Sequence, residues 1–306
     1  MKHLHFDCFS GISGDMTLGA LLDLGASEER AALATVLREG LALLPLPTSF
    51  ELKIWREPRQ SIMGTRVAVL VGGHDADEVA TGLHATPHEH HSHEHDHGSE
   101  AHSHDHHDHG HNHHHGHEGA HAHEHKHEHH QPQEHSHHAF THIKAQISSS
   151  KLTEDVKHLA LQIFQRLAIA EGKLHGQDPE KVEFHEVGAV DSIVDIVGVS
   201  LLLRHLNPAS ISSSPLPMGH GFIKCRHGRM PVPAPATLEL LRGIPVYDAN
   251  MRGELVTPTG AAIIAAVATS FSRFVSFTPQ QIGYGMGKND FADRPNALRV
   301  VLGELA

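Results

Sequence analysis

Cysteine, aromatic residues, positive charge and long apolar runs are all scarce in this chain of 306 residues, and each scarcity excludes something. Cys8 and Cys225 are the two cysteines, far apart, so the disulfide framework that staples small secreted domains is ruled out. No uninterrupted apolar run reaches the ~18 residues of a spanning helix, and Met1-Lys2-His3-Leu4-His5-Phe6-Asp7 lacks the core of a signal peptide. A cytoplasmic protein with no membrane partner is expected. Lys and Arg number 24 against 36 Asp and Glu, a formal net charge of −12 with histidine neutral, and no basic stripe offsets it. Such a chain lacks the surface that displaces counterions from a phosphate backbone, so nucleic acid is not an expected partner.

What is present in excess is histidine: 36 copies, of which 27 lie between His84 and His142. Imidazole titrates near pH ~6.5, so this tract is largely neutral at neutral pH and cationic about a unit lower. Between Gly72 and Ala139 the composition is His, Glu, Asp, Gly, Ser and Ala with almost no large apolar side chain, which cannot offset the entropy of ordering a chain. The reading is a disordered insert over 73–140 that interrupts one core, with parts 1–72 and 141–306 on either side. About 245 residues remain outside the tract, enough for one large core or two modest ones.

The flanking patterns alternate between strand and helix. His3–Phe9 is short and β-friendly, and Ser10-Gly11-Ile12-Ser13-Gly14-Asp15 is a small-residue loop opening a helix from Met16 to Leu24. Ser27 is the expected N-cap of a second helix, with Glu28 and Glu29 in its first turn and an apolar-periodic run to Leu44. Phe50–Trp55 and Thr65–Val71 read as a strand pair joined by a polar turn around Pro58–Gly64. After the insert, His142–Ser149 is weakly helical. Thr153 then caps a helix whose apolar positions Val156, Leu159, Ala160, Ile163, Phe164, Leu167 and Ala168 recur at helical spacing, with Gly176 at its exit. Val182–Phe184, Ile211–Ser214, Gly221–Cys225 and Arg299–Leu302 read as strands; Asp191–Leu206, Ala234–Leu241 and Thr259–Thr269 read as helices, the first almost wholly apolar and hence buried. The expected class is α/β or mixed α+β, with helices layered on a sheet.

Three constellations carry chemistry. The tract repeats His-X-His and His-His with carboxylates between, and His90, His93, His95, His97, His104, His106, His109, His111, His113 and His115 are its candidate metal ligands. A flexible chain of imidazoles suits nickel, zinc and copper without a preformed cage. His93-Glu94-His95-Asp96-His97 matches the zincin pattern H-E-x-x-H, but it lies in no amphipathic helix, so a metalloprotease is rejected. The second constellation runs from Asp7 to Asp15. Gly11, Ser13 and Gly14 would let N–H groups at a helix start approach a phosphate, and the two carboxylates would hold a cation; the plain alternative is that Ser13 or Asp15 caps the helix. The third is His185-Glu186 followed by Asp191 and Asp195, two carboxylates one helical turn apart. In an apolar helix they are costly unless they meet a cation or a donor, and Arg204 and Arg226 are the partners in the plain reading. Lys224, Arg226 and His227, with His220 and Arg229, add a basic segment beside Pro231-Val232-Pro233-Ala234-Pro235, where a cis bond would suit a rigid turn. Gly283-Tyr284-Gly285-Met286-Gly287-Lys288 completes neither a dinucleotide fingerprint nor a P-loop.

Together, His5-Phe6-Asp7-Cys8-Phe9-Ser10-Gly11-Ile12-Ser13-Gly14-Asp15-Met16, Phe184-His185-Glu186-Val187-Gly188-Ala189-Val190-Asp191-Ser192-Ile193-Val194-Asp195, His227-Gly228-Arg229-Met230-Pro231-Val232-Pro233 and Thr257-Pro258-Thr259-Gly260-Ala261-Ala262 resemble the nickel-insertion proteins of nickel-pincer cofactor biosynthesis. The resemblance runs along the chain and includes the His-rich insert. It implies a CTP-dependent cyclometallase that puts Ni²⁺ into pyridinium-3,5-bisthiocarboxylic acid mononucleotide, with Mg²⁺ or Mn²⁺ accompanying CTP. Such chemistry needs a nickel source, a grip on phosphate and a base for the ring proton. For that reaction the tract and Asp7 are the expected metal ligands. Gly11, Ser13, Gly14, Asp15, Lys224, Arg226 and His227 are the expected phosphate grip, and His185, Glu186, Asp191 and Asp195 the catalytic groups. In full-length members a further C-terminal domain, implied to bind CTP, follows the segment that here ends at Ala306; a second polypeptide or a longer product is expected to supply it. Assembly into a homo-oligomer is compatible with the sequence. Two other readings stay open: a nickel-binding chaperone or store without catalysis, and a phosphate-ester hydrolase built on Asp7, Asp15 and Asp191.

Overall fold

A computed structural model describes residues 1–76, 139–184, 190–225 and 228–305. Strand β1 (Lys2–Asp7) runs inside an eight-stranded mixed sheet. On one side it pairs antiparallel with β11 (Ala297–Leu305), which pairs antiparallel with β10 (Phe277–Met286). Beyond them lie β3 (Ile62–Val71), parallel to β10, then β2 (Phe50–Arg59), with the short β4 (His74–Asp75) also on β3. On the other side β5 (Ser210–Ser213) and β9 (Ser270–Phe271) follow in parallel. The sequence places the β2–β3 turn over Pro58–Gly64, but the strands continue to Arg59 and resume at Ile62. Gln60 and Ser61 turn the chain alone, both with positive φ, which matches the twist of the flanking strands.

Alternation along β1 sends Leu4 and Phe6 to one face and His3, His5 and Asp7 to the other. Helices cover the first face. Helix α1 (Gly14–Leu22) lies on β3, β10 and β11 and backs onto α5 (Val190–Leu206), against which α2 (Ser27–Leu41) and α4 (Glu154–His175) also pack. Enclosure from several sides is why α5 has no amphipathic stripe: Val194, Ile196, Val197, Val199 and Leu202 are all fully buried. The run Gly283-Tyr284-Gly285-Met286 lies in β10, and its glycines answer to packing. A Cβ at Gly285 would stand 1.8 Å from the Met16 carbonyl oxygen, and one at Gly283 would stand 2.1 Å from that of Ala20. Without side chains there, α1 rests directly on the sheet.

The opposite face of β1 is polar yet closed. His3 Nδ1 and Nε2 lie 2.7 and 2.8 Å from the hydroxyls of Ser210 and Ser212, and His5 Nδ1 lies 2.7 Å from Ser212. Phe277 and Phe274 cover these rings, 5.2 Å from His3 and 4.8 Å from His5 between centroids. Burial holds both imidazoles below their ordinary pKa.

A second, three-stranded sheet has β6 (Leu216–Cys225) at its centre, antiparallel to β7 (Gly228–Val232) and parallel to β8 (Val246–Arg252). The Val232–Pro233 bond after β7 is cis, and helices α6 (Pro235–Leu240) and α7 (Pro258–Val267) follow. Strands β8 and β10 were not legible as elements beforehand. The second helix is capped from Ala26, whose N–H donates to Glu29 Oε2 at 2.6 Å, so Ser27 is its first residue rather than its cap. Val182–Phe184 contributes only a bridge between Glu183 and Ala139.

The edges of the insert are also redrawn. The chain is part of the sheet as far as β4, and α3 (Phe140–Ser149) starts with Phe140, 1% exposed, in the core. Residues 77–138 of the expected insert lie outside the described residues. Among the described residues no helix is long and apolar enough to cross a membrane.

Candidate functional site

The loop between β1 and α1 is bonded to the segment that enters α7. Ile12 donates to the Leu255 carbonyl at 2.9 Å and accepts from the Thr257 N–H at 3.1 Å, while the Gly11 N–H turns back to the Cys8 carbonyl at 3.0 Å. Gly11 has φ +113, and a Cβ there would stand 1.9 Å from the Leu255 oxygen, so both conformation and space demand glycine. The Ser13 hydroxyl accepts from the Met16 N–H at 3.4 Å and donates to the Asp15 carboxylate. These bonds answer to the capping alternative, and the N–H groups of Gly11 and Ile12 are spent inside the protein.

This loop meets the acidic helix. A Cβ at Gly14 would stand 2.2 Å from Asp195 Oδ2, so the bare backbone of Gly14 lets the Asp195 carboxylate lie against the first turn of α1. The positive end of a helix dipole favours a carboxylate in that place. Asp191 lies one turn before it, in the first turn of α5 and two residues after the segment 185–189. Arg204, expected as a partner, instead acts electrostatically on Asp155. The loop and Asp195, 181 positions after Gly14 in the sequence, thus meet near the end of β1.

Asp7, at that end, faces Arg299 of β11 in register. Arg299 Nε donates to Asp7 Oδ2 at 2.8 Å and Nη2 donates to the same oxygen, while the guanidinium lies 5.9 Å from the Phe9 ring centre. Burial works against the Arg299 charge, but Asp7 and the Tyr284 hydroxyl outweigh it and raise its pKa. Asp7 is therefore already charge-compensated within the protein. Cys8 is fully buried, and burial pushes its thiol up to about 12, so in the metal-free protein it is a thiol near neutrality.

Lys224 stands apart from this site, on β6 of the small sheet. It lines an open groove with His220, Phe222, Arg229 and Arg252. His185, Glu186, Arg226 and His227 lie outside the described residues, as do His90, His93, His95, His97, His104, His106, His109, His111, His113 and His115. Among the described residues no three His, Cys, Asp or Glu side chains converge as a metal site. Arg299 and Arg252 were missed as site residues. The signal for Arg299 was a lone charge between apolar neighbours in Leu298-Arg299-Val300; Arg252 lies in a strand that had no signal.

The chain matches the family described as nickel insertion protein over residues 4–306. A putative nickel insertion protein of Geotalea uraniireducens is 40% identical over 305 residues, covering 99% of this chain and 61% of that protein. A second, of Geobacter metallireducens, is 41% identical over 305 residues with the same coverage. The pyridinium-3,5-bisthiocarboxylic acid mononucleotide nickel insertion protein of Geobacillus kaustophilus is 39% identical over 304 residues, covering 99% of this chain and 60% of that protein. The chain thus spans about three-fifths of the length of these relatives. No solved structure gives a significant match. With the family match running over residues 4–306, through the β1 loop, the Asp191–Asp195 helix and the Thr257 entry to α7, the chain belongs to the nickel insertion protein family.

Proposed function

We propose that this chain carries the metal-insertion site of a cytoplasmic enzyme that places Ni²⁺ in pyridinium-3,5-bisthiocarboxylic acid mononucleotide. Both nickel and the mononucleotide are substrates. In the step itself nickel gains two bonds to thiocarboxylate sulfurs and one to the ring carbon between them. The C–H bond breaks, its electron pair passes to nickel, and the proton leaves to a base. The observation that carries this reading is the seat of Asp195 on Gly14, which sets that carboxylate of α5 against the loop at the end of β1. Asp195 and Asp191 supply negative charge where a divalent cation and a departing proton both need it, and His185 or Glu186, just before α5, is the proton acceptor. The histidine tract collects nickel and delivers it.

CTP, with its Mg²⁺ or Mn²⁺, belongs to the further C-terminal domain that the family resemblance implies. The test mixes the chain with the bisthiocarboxylate mononucleotide, Ni²⁺, CTP and Mg²⁺, with and without the C-terminal region of the Geobacillus kaustophilus relative, and reads the small molecule by mass spectrometry. Nickelated product only when that region is added is the expected result. Product without it would make this chain a complete catalyst. No product in either case, with nickel still bound to the protein, would overturn the proposal in favour of a nickel chaperone.

A further inference from the structure

One face of the small sheet gathers cations without counter-charge. Alternation puts His220, Phe222 and Lys224 of β6 on the same face, and the register sets Arg229 opposite Lys224 and Arg252 opposite His220. They line an open groove of about 560 Å³. No carboxylate of the described residues forms an ion pair with Lys224, Arg229 or Arg252. Like charges directly opposite on neighbouring strands are destabilising, and among the described residues no carboxylate pairs with Lys224 or Arg229 to offset it.

The side chains are nevertheless held over the groove. The Arg229 guanidinium lies 4.3 Å from the Phe222 ring centre, a cation–π contact that keeps it on this face. Arg252 lies along Gly221, where a Cβ would be 3.6 Å from its Cγ, and the Gly253 N–H bonds to the His220 carbonyl at 3.0 Å, fixing the end of β8 on β6. Three strands thus present an ammonium and two guanidinium forks to one volume. A dianion there would turn mutual repulsion into charge-assisted hydrogen bonds.

We propose that this face binds the phosphomonoester of a pyridinium mononucleotide through Lys224, Arg229 and Arg252. The identity of the nucleotide rests on the proposed function; the anion site rests on the groove alone. A monoester is the anion proposed because the mononucleotide of the proposed function carries a single phosphate, and tighter binding of CTP is an outcome that the test below can return. The assignment also frees the β1 loop, whose Gly11 and Ile12 N–H groups are already bonded, from the phosphate role.

The test is calorimetric titration of the whole chain, without nickel and at about pH 8, where the histidine tract is neutral. The titrants are pyridinium-3-carboxylic acid mononucleotide, the same riboside without phosphate, CTP, and inorganic phosphate. The mononucleotide is expected to bind and the riboside not, with affinity falling as salt rises. Arg252→Gln, Arg229→Gln and Lys224→Gln are each expected to weaken binding about tenfold or more. Lys224→Gln serves as the folding control, since relief of repulsion leaves its melting temperature unchanged or higher. Mononucleotide binding untouched by these variants, or a riboside bound as tightly, would overturn the proposal. So would inorganic phosphate binding as tightly as the mononucleotide, or CTP binding more tightly. Because no metal is inserted in this titration, the anion site and the insertion reaction can fail separately.

Discussion

The polar side of β1 shows what single residues contribute. His3 and His5 are buried against Ser210, Ser212 and two phenylalanines, and burial lowers their pKa from the ordinary value near 6.5. The unfolded chain therefore binds protons at these positions before the folded one does. Their stabilising environment is fully effective above about pH 6.5 and is lost as pH falls toward the depressed folded values. Thermal melting between pH 7.5 and 5.5 should show a fall of roughly 2–5 °C that His5→Asn reduces. The comparison with the variant removes the general repulsion from a tract that charges over the same range; an identical slope in both proteins would show that His5 does not carry the effect. The oddity of such residues was visible in the sequence, since a histidine or an arginine between apolar neighbours asks for a partner. The partner itself was not, because Asp7 and Arg299 are 292 positions apart and meet only through the β1–β11 register.

At the scale of elements, the most legible pieces were those whose pattern is local. Helix α4 follows its apolar spacing from Val156 to Ala168 and ends at Gly176 in the left-handed conformation, and β1 with its loop and helix follows from a short apolar run and small residues. Strand β10 was unreadable because its glycines follow packing rather than alternation, and β8 because its only buried side chains are Ala249 and Met251. The glycines of β10 serve α1, and β8 borders a groove on its polar side. The site depends on the same kind of contact. A methyl group at Gly14 would meet three side-chain atoms of Asp195 within 2.8 Å, so Gly14→Ala must move that carboxylate. The expected cost is about 1–3 kcal/mol in urea unfolding, the usual penalty of overpacking, with insertion activity reduced at least tenfold. Adding Asp195→Ala should return part of the stability, since the crowding oxygen is gone, and none of the activity. Recovery of both would mean that Asp195 only fills space.

For the molecule as a whole, the open relation is between the folded core and the histidine tract. The described residues on either side of 77–138 belong to the core: β4 pairs with β3, and Phe140 is 1% exposed. A deletion drawn from His84 to His142 would remove Phe140 and the first turn of α3, and any loss of function would then report a damaged core. The informative change keeps residues 1–76 and 139–306 intact and replaces the histidines between 77 and 138 by asparagine at constant length. If the tract supplies nickel to a site built by Asp191, Asp195 and the β1 loop, unfolding stability should stay within about 0.5 kcal/mol. Nickel bound per chain should fall several-fold, and insertion should persist at saturating Ni²⁺ while dropping steeply when Ni²⁺ is limiting. Equal loss at every nickel concentration would place ligands of the working ion inside the tract itself. Unchanged activity at limiting nickel would leave the tract without a part in delivery, and the core would have to take its metal directly from solution.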